Sequence, residues 1–222
     1  MTPERFRKIR VILDRRQPDL TVIADNFRKS HNVAALVRTC DAVGVYRLHV
    51  VSPDGESKRH HMVAAGTHKW VHTAIHTDVA TPADNLRATG FRIVAAHPGD
   101  KAKDYRDIDY TVPTAVVLGS ELTGVCRMTA RLADEHVMIP MRGMAESLNV
   151  SVANALILYE AARQREAAGL YDASRLDTTE YRQTLFEWCY PDIARRCREH
   201  GVPYPDLDDE GLFHHNPLPG AA

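Results

Sequence analysis

Thr114-Ala-Val-Val-Leu-Gly-Ser-Glu-Leu-Thr-Gly-Val125 sets an unbroken apolar run against a turn with two glycines and one acid. A run without polar alternation fits a strand covered on both faces, as in a parallel sheet. Glycine lets backbone amides approach a ligand closely. Gly119 and Gly124 have the spacing of a phosphate loop, but Val125-Cys126 stands where Lys-Ser/Thr is required, which argues against a nucleoside triphosphatase. In isolation the stretch also reads as a plain strand-to-helix turn.

The pattern repeats in both directions. Downstream, His136–Ile139 is a further short strand, and Asn149–Ala168 is a long helix with Val150, Ala153, Leu156, Ile157 and Ala161 at helical spacing, closed by Gly169. Upstream, Leu20–Ala24, Tyr46–Val51 and Phe91–Ala96 are strands. A helix capped by Asn32 runs through Ala42 to Gly44, and another runs from Thr81-Pro82 to Gly90. Apolar strands alternating with helices imply an α/β fold, a mostly parallel sheet with helices on both faces. The core is read as 20–168, with extensions 1–19 and 169–222. Thr2-Pro3 opens a basic helix to about Arg16 with Phe6, Ile9, Ile12 and Leu13 on one face. The C-terminal extension holds a helix over Thr179–His200, then a Pro- and Asp-rich tail of a composition prone to poor order.

Composition bounds the classes. With 44% hydrophobic and 26% charged residues, the 222-residue chain is ordinary globular protein. No apolar run approaches the ~20 residues of a membrane helix, and the N-terminus lacks a secretory apolar core, so a cytoplasmic protein is expected. Cys40, Cys126, Cys189 and Cys197 are scattered, and the pairs His60-His61 and His214-His215 are poor chelates because neighbours point different ways, so no metal is expected. Neither Gly-x-Gly-x-x-Gly nor Gly-x-Ser-x-Gly occurs, which weakens a dinucleotide-type fold and a serine hydrolase. Net charge is −1, yet residues 1–50 carry ten Lys/Arg against five acids, a local +5, and the last 22 carry four acids and no Lys or Arg. That asymmetry fits a polyanion partner near the N-terminal part, and equally a solvated helix face.

Two further segments look chemical. Lys29-Ser-His-Asn-Val-Ala-Ala-Leu-Val-Arg-Thr-Cys-Asp-Ala-Val-Gly44 places Asn32 and Arg38 in the first turns of a helix, about 9 Å apart along its axis. Arg38 there can grip a phosphate through both guanidinium arms, or be an ordinary exposed arginine. Ile139-Pro-Met-Arg-Gly-Met-Ala-Glu-Ser-Leu-Asn-Val-Ser-Val-Ala-Asn-Ala155 is a polar, small-residue loop entering an apolar helix. Ser147, Asn149 and Ser151 cluster where free backbone N–H groups gather, which serves a site or ordinary capping.

Taken together and in this order, the three segments resemble the signature motifs of the SPOUT superfamily of RNA methyltransferases, and most closely its TrmH type. Arg15-Arg-Gln-Pro-Asp-Leu-Thr-Val22, Asp41-Ala-Val-Gly-Val45, Asp107-Ile-Asp-Tyr-Thr111, Tyr159-Glu-Ala, Tyr190-Pro and Val202-Pro-Tyr-Pro205 support the closer match, which covers about residues 1–205. The resemblance implies a deep trefoil knot at about 114–160 and a homodimer through that region. It implies S-adenosylmethionine held largely by backbone groups, with Ala96, Ile139 and Leu148 as contacts and Leu118, Gly119 and Met144 nearby. Threonine is familiar at position 96, and alanine offers only backbone polar atoms. Arg38 matches the catalytic residue, oriented by Asn32, and Glu121, Ser147 and Asn149 match site positions around ribose or cofactor. The implied reaction is methyl transfer to the ribose 2′-hydroxyl of a tRNA guanosine, at position eighteen of the D-loop. Arg5, Arg7, Lys8, Arg10, Arg15 and Arg16 of the first helix, with Arg195, Arg196 and Arg198 near the end, are then the expected RNA contacts. The alternatives are a ribosomal RNA 2′-O-methyltransferase of the same superfamily and a catalytically inactive RNA-binding protein on the same fold.

Overall fold

The computed structural model describes residues 1–27, 30–52, 69–99, 101–120, 124–125, 127–215 and 217. Glu121, Cys126 and the His60-His61 pair lie outside the described residues. Two compact units are present, 17–170 and 1–16 with 171–222.

The larger unit is built on strands β1 (Gln17–Asp25), β2 (Val45–Val51), β3 (His72–His76), β4 (Arg92–Ala96), β5 (Lys103–Asp104), β6 (Thr114–Leu118) and β7 (Glu135–Met138). They form one sheet in the order β3-β2-β1-β6-β4-β7-β5, and every pairing is parallel. Val116, the middle of the apolar run, lies between Val22 of β1 and Val94 of β4. All five residues of β6 are buried, which explains why its sequence shows no alternation. Because the strands are parallel, Asp25, Ala96, Leu118 and Met138 end at one edge.

Helices α2 (Ser30–Ala42) and α5 (Val150–Ala167) cover one face, burying Leu36, Val37, Ile157, Leu158 and Ala161 against Val22, Leu48, Val94 and Val116. Helices α3 (Ala80–Ala88) and α4 (Arg127–Leu132) serve the other, where Ala83, Leu86 and Ala130 meet Ile23, Ile93 and Val117. Each fully buried Val, Leu or Ile contributes about 1.5–3 kcal/mol. A charged residue fastens the first face: Arg165, with no exposed surface, donates to Tyr110 O at 2.9 Å, Gln17 Oε1 at 2.9 Å and Asp19 Oδ1 at 2.7 Å.

In the smaller unit, helix α1 (Pro3–Asp14) packs on α6 (Thr178–Cys189), and α7 (Pro191–His200) follows. Thr2 caps α1 by accepting a 3.3 Å hydrogen bond from Arg5 N. The two extensions, remote in sequence, therefore form one unit.

Four expectations are corrected here. Asn32 lies inside α2, which begins at Ser30, and does not cap it. The apolar face of α1 is Phe6, Ile9 and Leu13, while Ile12 is 39% exposed. At about 100° per residue Ile12 falls roughly 120° from Phe6, whereas Leu13 falls within about 20°. The single helix expected over Thr179–His200 is two, broken at Tyr190-Pro191, because proline disfavours a helical residue before it and opens the next helix at its first position. The tail is packed rather than loose as far as Phe213. Tyr204 stacks on Phe186 at 4.9 Å, Phe213 meets Tyr190 edge-on at 5.0 Å, and Tyr190 donates to Gly211 O at 2.8 Å.

Candidate functional site at the carboxyl edge

In open parallel sheets ligands bind beyond the carboxyl ends of the strands. Here that edge is formed by the ends of β4, β6 and β7 and the segments that follow them. Ala96 ends β4 half-buried against the core, Leu118 ends β6 at 1% exposure, and Ile139 follows β7 half-buried. After Leu118 the chain closes a tight turn: Ser120 N donates to Gly124 O at 3.1 Å and Gly124 N to Ser120 O at 2.9 Å. Gly119 sits so close to the far side of this turn that a Cβ would overlap the carbonyl of Gly124 and the nitrogen of Val125. Gly124 itself takes φ +61°, a conformation only glycine adopts readily. Both glycines of the opening motif are thus required by backbone geometry.

The 139–149 loop carries the remaining candidates. Leu148 is half-buried, Ser147 is exposed, and Met144 is fully exposed. Asn149 caps α5, its Oδ1 accepting from Ser151 N at 2.8 Å. One turn of helix brings the first motif to the third: Ser151 Oγ donates to Asn32 Oδ1 at 3.5 Å across 119 residues, and Asn32 is 5% exposed. Arg38 is exposed on the same helix as Asn32. Six residues carry it about 9 Å further along and roughly 120° round the axis. The Asn32 side chain meets Ser151 of the third motif.

Electrostatics at the rim are local. Hydrogen bonds from the Arg106 side chain and backbone, helped by the charge of Arg142 in the loop, hold the Asp104 carboxyl down at about 2. On β2 and β3, His49 Nδ1 and His76 Nε2 are 3.0 Å apart; burial, then His76 and Arg47, pull His49 down to about 4, so the pair is neutral at physiological pH. Nothing in the spacing of these two histidines, 27 residues apart, marks them as partners. Among the described residues no group of three or more His, Cys, Asp or Glu is placed to hold a metal ion.

The cationic candidates divide. Arg5, Arg7, Lys8, Arg10 and Arg15 are exposed along and just after α1. Arg16 is not a surface cation: it has no exposed area, and its guanidinium lies 5.1 Å from the ring centre of Trp188. It packs the unit together and leaves the set of RNA contacts. On α7, Arg196 is exposed, Arg195 pairs with Glu199 at 2.9 Å, and Arg198 reaches Glu187 at 2.6 Å and Tyr204 at 2.7 Å.

The profile of the SpoU rRNA Methylase family matches residues 19–159, and that of the SpoU rRNA methylase C-terminal region matches 163–216. The chain belongs to the SpoU methylase family. Among SpoU methylases it is 45% identical over 213 residues to the tRNA (guanosine(18)-2'-O)-methyltransferase of Escherichia coli K12, covering 95% of this chain and 93% of that one. The crystal structure of the Aquifex aeolicus TrmH/SpoU tRNA modifying enzyme superposes with a TM-score of 0.78 at 41% identity, over 86% of this chain and 97% of the other. The SpoU methyltransferase AviRb of Streptomyces viridochromogenes, solved in complex with the cofactor AdoMet, aligns at 28% identity with a TM-score of 0.58, over 69% of this chain and 59% of the other.

Proposed function

We propose that this chain transfers a methyl group from S-adenosylmethionine to the ribose 2′-hydroxyl of guanosine eighteen in the D-loop of tRNA. The observation that carries the reading is the meeting of the first and third motifs at the Asn32–Ser151 contact beside the carboxyl edge. The 45% identical relative, matched over nearly its whole length, bears the name of this activity.

The cofactor fits the edge. Gly119 lets the backbone of Gly124 and Val125 pack directly onto the end of β6, so the wall of the edge at this point is main chain rather than side chain. The ends of β4, β6 and β7, at Ala96, Leu118–Gly119 and Ile139, would hold it together with Leu148; Met144 stands exposed on the same loop. When bound, S-adenosylmethionine supplies an electrophilic sulfonium methyl. Arg38 offers a planar fork of N–H donors and no acceptor. It therefore binds a phosphate of the RNA and stabilises the negative charge that grows on the ribose oxygen. Ser147 and Asn149 lie on the loop that borders ribose and cofactor, and Glu121 completes the set by its match to the family.

Three parts of the reading concern assembly. The order β1-β6-β4-β7-β5 inserts β6 and β7 between strands made earlier in the chain, and this interleaving supports a knot over about 114–160. Val152, Leu156 and Tyr159 form an exposed apolar stripe on α5, at 48%, 38% and 58% exposure, which supports a homodimer through that region. The smaller unit contributes the exposed cations of α1 and Arg196 as RNA contacts, and a tRNA substrate fits a cytoplasmic protein.

Incubating the full chain with S-adenosylmethionine and unmodified tRNA, then mapping ribose methylation, tests the function. A single 2′-O-methyl group at guanosine eighteen is expected. Methylation of ribosomal RNA alone would refute the substrate, and cofactor binding without any methyl transfer would refute the enzyme.

A further inference from the structure

The first strand ends on a charge. β1 is apolar at Leu20 and from Val22 to Ala24, then terminates in Asp25, 8% exposed. Ala24 pairs with Leu118, so the next residue on each strand, Asp25 and Gly119, stands at the carboxyl edge. A carboxylate at this depth needs a donor, because burying it unpaired is strongly unfavourable. Oδ2 of Asp25 accepts a 2.7 Å hydrogen bond from Oγ1 of Thr129, a residue 1% exposed on α4 and 104 positions away. Short bonds to an ionised acceptor are among the stronger ones a protein makes.

The bond bears on the turn between β6 and α4. Thr129 follows that turn by four residues. The neck of the turn is closed by the two Ser120–Gly124 bonds, Val125 is buried beside Ile23 and Val117, and Gly119 is pressed against Gly124. The position of α4 therefore sets Val125 and Gly124, and through them the backbone of Gly119, against which they pack. On the other side Asn26 takes φ +57°, uncommon for a residue other than glycine, and donates to Val51 O at 3.2 Å, turning the chain away directly after the carboxylate.

We propose that Asp25 and Thr129 are positioning residues for S-adenosylmethionine: their hydrogen bond seats α4 so that the turn neck at Gly119 and Gly124–Val125 forms one wall of the cofactor site. The proposal rests on the reading of the carboxyl edge as that site. Neither residue touches the reacting atoms. They act through backbone placement, and a productive site tolerates only about half an ångström of looseness.

Equilibrium binding of S-adenosylmethionine to the full chain, by calorimetry without RNA, tests it. Thr129→Val keeps the shape and removes the donor; cofactor affinity should fall about tenfold, while affinity for tRNA measured without cofactor stays at the wild-type value. Thr129→Ser should restore cofactor binding to within about twofold. Asp25→Asn, which keeps an acceptor oxygen, is the milder second variant and should lose about threefold. Wild-type cofactor affinity in Thr129→Val, or in Asp25→Asn should Thr129→Val not fold, would overturn the proposal. So would a loss in Thr129→Val that serine does not rescue and that tRNA binding shares. A wild-type chain that binds no cofactor would overturn the reading of the edge and this proposal with it, an outcome visible before any variant is made.

Discussion

Replacing Arg165 with methionine keeps most of the apolar stem volume and removes the guanidinium at the end of α5. That guanidinium donates to Tyr110 O at 2.9 Å, Gln17 Oε1 at 2.9 Å, Asp19 Oδ1 at 2.7 Å, Asp19 O at 3.1 Å and Val112 O at 3.2 Å. It ties the C-terminal half of α5 to β1 and to the segment entering β6. Arg165 has no exposed side-chain area and Asp19 has 14%, so the pair is largely desolvated. Removing one member of such a pair costs about 3–5 kcal/mol, because the remaining charge and carbonyls keep their burial and lose their donor. The residual exposure of Asp19 favours the lower end, about 3–4 kcal/mol. In a chain of this size each kcal/mol moves the midpoint by roughly 2–4 °C, so the Tm should fall by about 6–16 °C. Thermal unfolding followed by circular dichroism at neutral pH measures it. Adding Asp19→Asn should return part of the loss, since the second variant removes the charge that faced the guanidinium. A Tm within about 2 °C of wild type for Arg165→Met would refute the reasoning.

Gly119→Ala should abolish detectable cofactor binding by forcing the Ser120–Gly124 neck open, since the added methyl would overlap backbone atoms that cannot rotate aside; retained wild-type affinity would contradict it. His49 titrates near 4 in the folded chain and near 6.5 when unfolded, so the unfolded state binds more protons between those values and stability is lost as the pH drops from about 6.5 to about 4. The loss is on the order of 3 kcal/mol, and His49→Gln should flatten the curve of stability against pH there; an unchanged slope in denaturant titrations would sink the idea. Arg38→Lys keeps a cation without the planar fork and should transfer methyl groups faster than Arg38→Ala but slower than wild type in single turnover. If Arg38→Lys instead recovers selectively at alkaline pH, Arg38 acts as a base and the electrostatic role is wrong.

Local pattern carries far in this chain. The unbroken valines of β6, the Thr2-Pro3 cap, the helical spacing in α5 and the need for glycine at 119 and 124 are properties of neighbouring residues, and periodicity and backbone sterics express them directly. The candidate residues of the three motifs were recognisable because each motif is contiguous and their order is preserved. Arg16 shows the limit: in sequence it matches its exposed neighbour Arg15, and only the tertiary structure buries it against Trp188. The same holds for the Asn32–Ser151, Asp25–Thr129, His49–His76 and Arg165–Asp19 contacts, which join residues 119, 104, 27 and 146 apart. No periodicity spans such distances. Which strand lies beside which is decided when the interior packs, and the order β3-β2-β1-β6-β4-β7-β5 brings these groups close enough for direct hydrogen bonds while removing the water that would otherwise compete for them.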